Sequence, residues 1–170
     1  LYTFRTKVNN KSAAICAAIR GLIMDFFCFR NDDDKRYALA CLTFAKKLGQ
    51  IDDDSLDAVK TRCAAENEKR AEMLKKDEVV YGLSRFSLST YLQYELTRFK
   101  VEFTEETIKN YQYKEITKKD EKAFYKNNKE LFSRYGGDHF FFREVRMVAH
   151  KKLREEEYEN EIKNILCQFS

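Results

Sequence analysis

Proline and tryptophan are absent from the 170 residues, glycine occurs five times and histidine twice. Without proline the chain lacks the residue that most firmly breaks a helix, and with so few glycines it has few free joints. Abundant Lys, Glu, Ala and Leu complete the picture of a mostly helical chain with short connections. No stretch of about 18–20 residues is uninterruptedly apolar, so no segment reads as a membrane-spanning helix. The five cysteines form no Cys-x-x-Cys pair, which leaves zinc and dithiol chemistry without a motif. No P-loop, G-x-G-x-x-G or G-x-S-x-G string occurs. His139 and His150 stand about three helical turns apart, so a continuous final helix cannot bring them to one small site. His139 reads as a turn residue and His150 as a surface residue. We therefore expect no catalytic residue, no metal and no cofactor.

What is present suits one helical domain over 1–170 with a core of ordinary size: 35% charged residues, 44% hydrophobic ones and a mild net charge of +4. The signs are interspersed, and the Lys-rich 109–134 region with its tyrosines carries enough acid to read as a solvated face, so no nucleic-acid partner is expected. Tyr2 to Val8 alternate as a short strand, and Asn9-Asn10 turns. From Ser12 an apolar helix follows. A second helix carries Tyr37, Cys41, Phe44, Ala45 and Leu48 on one stripe and stops at Gly49. Asp32 to Asp34 and Asp52 to Asp54 stand where helices begin. They lack the alternation, central glycine and distal glutamate of a calcium loop, so helix capping is the expected role. Cysteine reads as a small core hydrophobe throughout.

A third helix places Leu56, Val59 and Cys63 inward. Asn67 and Arg70 fall on the same stripe, either because the stripe drifts to water or because they anchor a polar network to the next element. Glu78 to Tyr81 is a short extended run, and Ser87 caps a helix with Tyr91, Leu92, Glu95, Leu96, Phe99 and Phe103 inward. That helix runs on through Ile108 to Tyr111 or kinks near Thr104. Between Ile116 and Phe132, Thr117 is a natural N-cap with Asp120 at the capping-box position, and Phe124, Asn128, Leu131 and Phe132 recur at helical spacing over about four turns. After Gly136-Gly137, Asp138 caps a long final helix over 138–169. It has two apolar patches, Phe142 to Ala149 and Tyr158 to Phe169, with a charged middle between them.

The Thr117 to Phe132 segment resembles the T-x-x-(D/E)-x-x-x-(F/Y)-Y-x-x-(N/H)-K-x-x-F helix of SurA/PrsA-type foldases, which are chaperones linked to parvulin prolyl isomerases. Upstream, the stretch from Asn67 and Arg70 through Glu78 to Tyr91 resembles an N-x-x-R … E-V-(V/I)-Y-G … F-(S/T)-x-x-x-Y segment of the same family. The gap from Ser133 to Phe140 is far too short for an isomerase module, which would be the size of an ordinary domain. The resemblance therefore implies a SurA/trigger-factor peptide-binding-like bundle that has lost its catalytic module, with one or two short strands and the final helix packing back on 88–133.

That resemblance implies a non-catalytic chaperone domain that binds unfolded or extended polypeptide in an apolar, aromatic groove. Tyrosine suits such a groove, having a flat face and a wettable end. The candidates are Tyr91, Tyr94, Phe99, Phe103 and Tyr111, although rings at helical spacing usually pack into a core. An alternative is a helical scaffold acting through a homodimer or strand exchange. The resemblance also implies an extracytoplasmic location, with a removed leader or lipid anchor for membrane attachment.

Overall fold

The computed structural model describes residues 26–134 and 137–169. The strand over Tyr2 to Val8, the Asn9-Asn10 turn, most of the helix beginning at Ser12, Cys16 and Gly136 lie outside the described residues. Five α-helices follow in order: α1 (Asp32–Lys47), α2 (Leu56–Lys75), α3 (Leu88–Thr104), α4 (Lys118–Asn127) and α5 (Phe142–Gln168), with a short 3-10 helix, Lys129–Phe132, after α4. The fold is mostly helical, with a long C-terminal helix. Among the described residues there is no strand, only an isolated antiparallel bridge between Ser133 and His139. Glu78 to Tyr81, expected as an extended run, has no strand partner there.

The chain divides into two compact units. One comprises Leu1–Arg30 and Leu56–Gln93, the other Asn31–Ser55 and Tyr94–Ser170, so the division falls inside α3.

In the first unit, Val59 and Cys63 of α2 are buried with Phe86, Leu88, Tyr91 and Leu92. The segment entering α3 is held by side chains of α2. Asn67 Oδ1 accepts the Phe86 N–H at 2.7 Å, and Asn67 Nδ2 donates to the Phe86 carbonyl at 3.0 Å. Arg70 lies over the Phe86 ring at 4.5 Å and donates through Nη1 to the carbonyls of Tyr81 and Leu83. An amide and a guanidinium thus stand in for secondary-structure partners of a stretch that has none of its own.

The second unit holds two apolar clusters. The larger joins Cys41, Phe44 and Leu48 of α1 to Phe103 of α3 and to Tyr158, Ile162 and Ile165 of α5. The smaller joins Phe124 and Phe132 to Val145 and Ala149. Each α1 residue on the expected stripe is buried except Tyr37, whose hydroxyl donates to the Glu159 carboxylate. Asn31, not an aspartate, caps α1, its Oδ1 accepting the Asp34 N–H at 2.8 Å; Asp32 to Asp34 fill the first turn, where negative charge meets the helix dipole. Gly49 ends the helix at φ +75°, in the left-handed region.

Three expected boundaries are corrected. Asp54 does not open α2; its carboxylate takes Lys46 at 2.9 Å and Thr43 at 3.0 Å, both on α1. The helix begun by Thr117 has the capping box with Asp120 but is not continuous to Phe132. At Asn128 (φ −126°, ψ 44°) the backbone leaves helical geometry, and both its N–H and its side-chain amide donate to the Phe124 carbonyl at 3.0 Å. The last helix begins at Phe142 rather than at Asp138: the Phe141 N–H is taken by Glu144 at 2.7 Å, so the glutamate three residues into the segment fixes the start. Val148 and Phe169, expected inward, are exposed, as are Cys28 and Cys167.

Candidate functional site

The second unit carries a hollow of about 520 Å³ walled by α3, α4 with its 3-10 extension, and α5. Phe124 and Leu131 supply its apolar floor, and Asn128 and Asn160 supply neutral amides. Leu131 is 59% exposed, unusual for a leucine next to a core phenylalanine, and Asn160 is exposed as well. Charged residues line the rim, several paired among themselves: Lys100 with Glu159 at 2.8 Å, and Lys152 with Glu155 at 2.7 Å. A trough with apolar floor, amide walls and a charge-paired rim is suited to an extended polypeptide, whose backbone needs hydrogen-bond partners and whose side chains need apolar area.

A chain of ionic contacts ties α4 and the turn after α3 to α5. Arg146, His150 and Arg154 recur every four residues along α5. Arg146 Nε donates to Glu121 at 2.6 Å; the two ring nitrogens of His150 lie 3.1 Å from Glu121 and 3.1 Å from Glu106. Arg154 is 3% exposed and reaches Glu106, Glu157 and the Lys114 carbonyl, with the Tyr113 ring 4.8 Å away. His150, expected as a surface residue, is thus a partly buried bridge between two carboxylates. Burial raises the Glu121 carboxyl, but Arg146 and His150 outweigh it and hold it below the ordinary glutamate value. Glu106 is likewise lowered, burial being overcome by His150 and Arg154.

Of the five candidate groove aromatics, Phe99 and Phe103 are fully buried and Tyr91 is 5% exposed. Those three are core rings: Phe103 sits 5.4 Å from Tyr158 and 5.7 Å from Phe44, and Tyr91 packs on Phe86. Tyr111 is half-buried against Phe103 and Tyr113, its hydroxyl donating to Glu157 at 3.2 Å. Tyr94 presents an exposed face. The residues that do line the hollow, Leu131, Asn128 and Asn160, were not among those candidates. The spacing that puts Leu131 beside Phe132 was visible, but the break at Asn128 that turns it outward was not. Among the described residues no group of three or more His, Cys, Asp or Glu is placed to hold a metal ion, and no helix is long and apolar enough to cross a membrane.

The helical arrangement defined by these elements recurs in solved proteins. It matches a GH136 lacto-N-biosidase from Eubacterium ramulus, in native and selenomethionine structures, with a TM-score of 0.65 and 23% identity over 78% of this chain. In sequence, the chain is 35% identical over 75 residues, 44% of its length, to a protein of Bifidobacterium longum subsp. longum named as a chaperone for lacto-N-biosidase. The chain spans 27% of the length of each of these proteins. No protein-family profile matches it. These similarities overturn the resemblance to SurA/PrsA-type foldases. The motifs around Thr117 and Asn67 are capping and clamping devices, and many helical proteins need such residues at such spacings. The isomerase kinship and the extracytoplasmic location that came with that resemblance lose their support.

Proposed function

We propose that this chain is a chaperone-like helical module whose partner is a polypeptide of the glycoside hydrolase class, and that it acts by binding rather than by catalysis. The observation that carries this reading is the sequence similarity to a protein named as a chaperone for lacto-N-biosidase. The fold shared with part of a lacto-N-biosidase chain is consistent with it. The hollow between α3, α4 and α5 supplies the chemistry: Leu131 and Phe124 take an apolar side chain, while the Asn128 and Asn160 amides pair with the backbone of the bound segment. Tyr94 adds an exposed aromatic face elsewhere in the same unit. The pairing of Glu121 on α4 with Arg146 and His150 on α5 holds together two of the helices that wall the hollow before the partner arrives, which reduces the ordering cost of binding.

Co-expression tests the reading. A GH136 lacto-N-biosidase made together with this chain should give more soluble, active enzyme than the same hydrolase made alone. Leu131→Glu combined with Asn160→Asp, which puts charge into the hollow, should remove most of the gain. An unchanged yield would overturn the proposal. A gain that survives the double substitution would move the contact away from the hollow.

A further inference from the structure

A second hollow, of about 390 Å³, lies within the first unit, between α2 and the segment that leads into α3. Its apolar lining is Cys63, Ala64, Phe86 and Leu88, and Asn67 stands in the wall. Two cations complete it, Lys60 and Arg85, and among the described residues no acidic side chain is part of the lining. Lys60 has one carboxylate neighbour, Asp57 at 2.7 Å, which is 88% exposed and points into water. Arg85 is exposed, and no described residue offers it a hydrogen bond or ion pair.

Phe86 is held through both its N–H and its carbonyl by Asn67, and its ring is covered on one side by Arg70. An apolar floor fixed in this way, flanked by two cations with spare donors, is complementary to a carboxylate carried next to an apolar side chain. A neutral or basic segment would fill the floor and leave Arg85 without a partner, and Lys60 with only its exposed Asp57.

We propose that this hollow binds an acidic-apolar segment of the partner polypeptide, with Arg85 as the principal carboxylate ligand, Lys60 as the second, and Phe86 and Leu88 as the apolar floor. The inference rests on the reading of the chain as a polypeptide-binding module and adds to it a preference for charge. In the first unit, recognition is selective for acid; in the hollow of the second unit, where the rim charges are largely paired with one another, it is not.

The test uses three capped hexapeptides that alternate phenylalanine with glutamate, glutamine or lysine, labelled for fluorescence anisotropy and titrated with the whole chain. The glutamate peptide should bind roughly tenfold more tightly than the glutamine peptide, with the lysine peptide weakest, and its advantage should shrink as salt rises. Arg85→Glu with Lys60→Gln should abolish the order while leaving the thermal melt nearly unchanged, because both side chains are solvent-facing. Equal binding of all three peptides, no binding of any, or an order that persists in the double variant would each overturn the inference. A chain that rescues the hydrolase without discriminating among the peptides defeats this inference alone. One that discriminates without rescuing defeats the proposed function alone.

Discussion

Arg154 of α5 is bound to Glu106, 48 positions earlier in the chain, through both Nε and Nη2 to one carboxylate oxygen. Glu106 is placed there by a left-handed backbone conformation, φ +56°, just after α3 ends. The guanidinium is buried while the carboxylate side chain is 41% exposed, so the pair has one dry end and one wet end. Removing the buried member leaves Glu106 and Glu157 without their shared cation. Arg154→Ala should therefore destabilise the protein by about 2–3 kcal/mol, toward the lower end for broken buried pairs because Glu106 retains water. Urea unfolding measures it, and a loss below about 0.5 kcal/mol would show that the pair is ornamental.

The same network predicts a direction for acid sensitivity. Glu121 and Glu106 both have carboxyls lowered below the ordinary 4.5 in the folded protein. A carboxyl lowered on folding contributes stability that is fully present above its unfolded value and is lost as pH falls through its folded value. Thermal stability should therefore be flat above pH 4.5 as far as these two groups are concerned and should decline below it. Glu121→Gln should be less stable near neutrality and show a shallower acid decline, as melts across the acid range would show.

Asn67→Ala removes both hydrogen bonds to the Phe86 peptide group and leaves its N–H and carbonyl to find water. A loss of about 2 kcal/mol is expected from two hydrogen bonds at a part-buried site. The sharper readout is local. Hydrogen exchange at the Phe86 amide should accelerate more than at amides in the middle of α5, and uniform acceleration would contradict the clamp.

Truncating aromatic residues separates core from surface. Phe103→Ala should cost about 3–5 kcal/mol, because the ring is fully buried among Phe44, Tyr111, Tyr113 and Tyr158. Tyr94→Ala should cost less than about 1 kcal/mol. Comparable losses at the two positions would be inconsistent with their burial.

The cysteines give a chemical check. Cys41 is buried, and burial pushes its thiol up to about 12, so it stays protonated at neutral pH. Cys28 and Cys167 are exposed. Iodoacetamide should label Cys28 and Cys167 in the folded protein and reach Cys41 and Cys63 only after unfolding.

Helical periodicity made the elements legible, and capping chemistry made some of their ends so. Thr117 with Asp120, the stripe from Cys41 to Leu48 and the inner face from Leu92 to Phe103 all follow from spacing alone. The ends decided by side chains acting at a distance did not. Asp54 looked like a helix start and is an ion-pair partner of α1, while Asp138 lost the cap to Glu144. The buried Arg154 was readable in principle, since it stands four residues before Tyr158 and eight before Ile162 on the same stripe. Its charge hid it among neighbours that do face water. The polar interruption at Asn67 and Arg70 is visible in the sequence, but the carbonyls they reach are not. Helical spacing that brings rings onto one face is also what packs them into a core, so Tyr91, Phe99 and Phe103 are buried, while the lining of the hollow includes a leucine and two asparagines.

Refolding of the partner tests the proposed role most directly. A GH136 lacto-N-biosidase unfolded in denaturant and diluted into buffer should recover several-fold more activity in the presence of an equimolar amount of this chain. The Leu131→Glu, Asn160→Asp variant should lose most of that effect. Recovery equal to that given by an unrelated helical protein at the same concentration would contradict it.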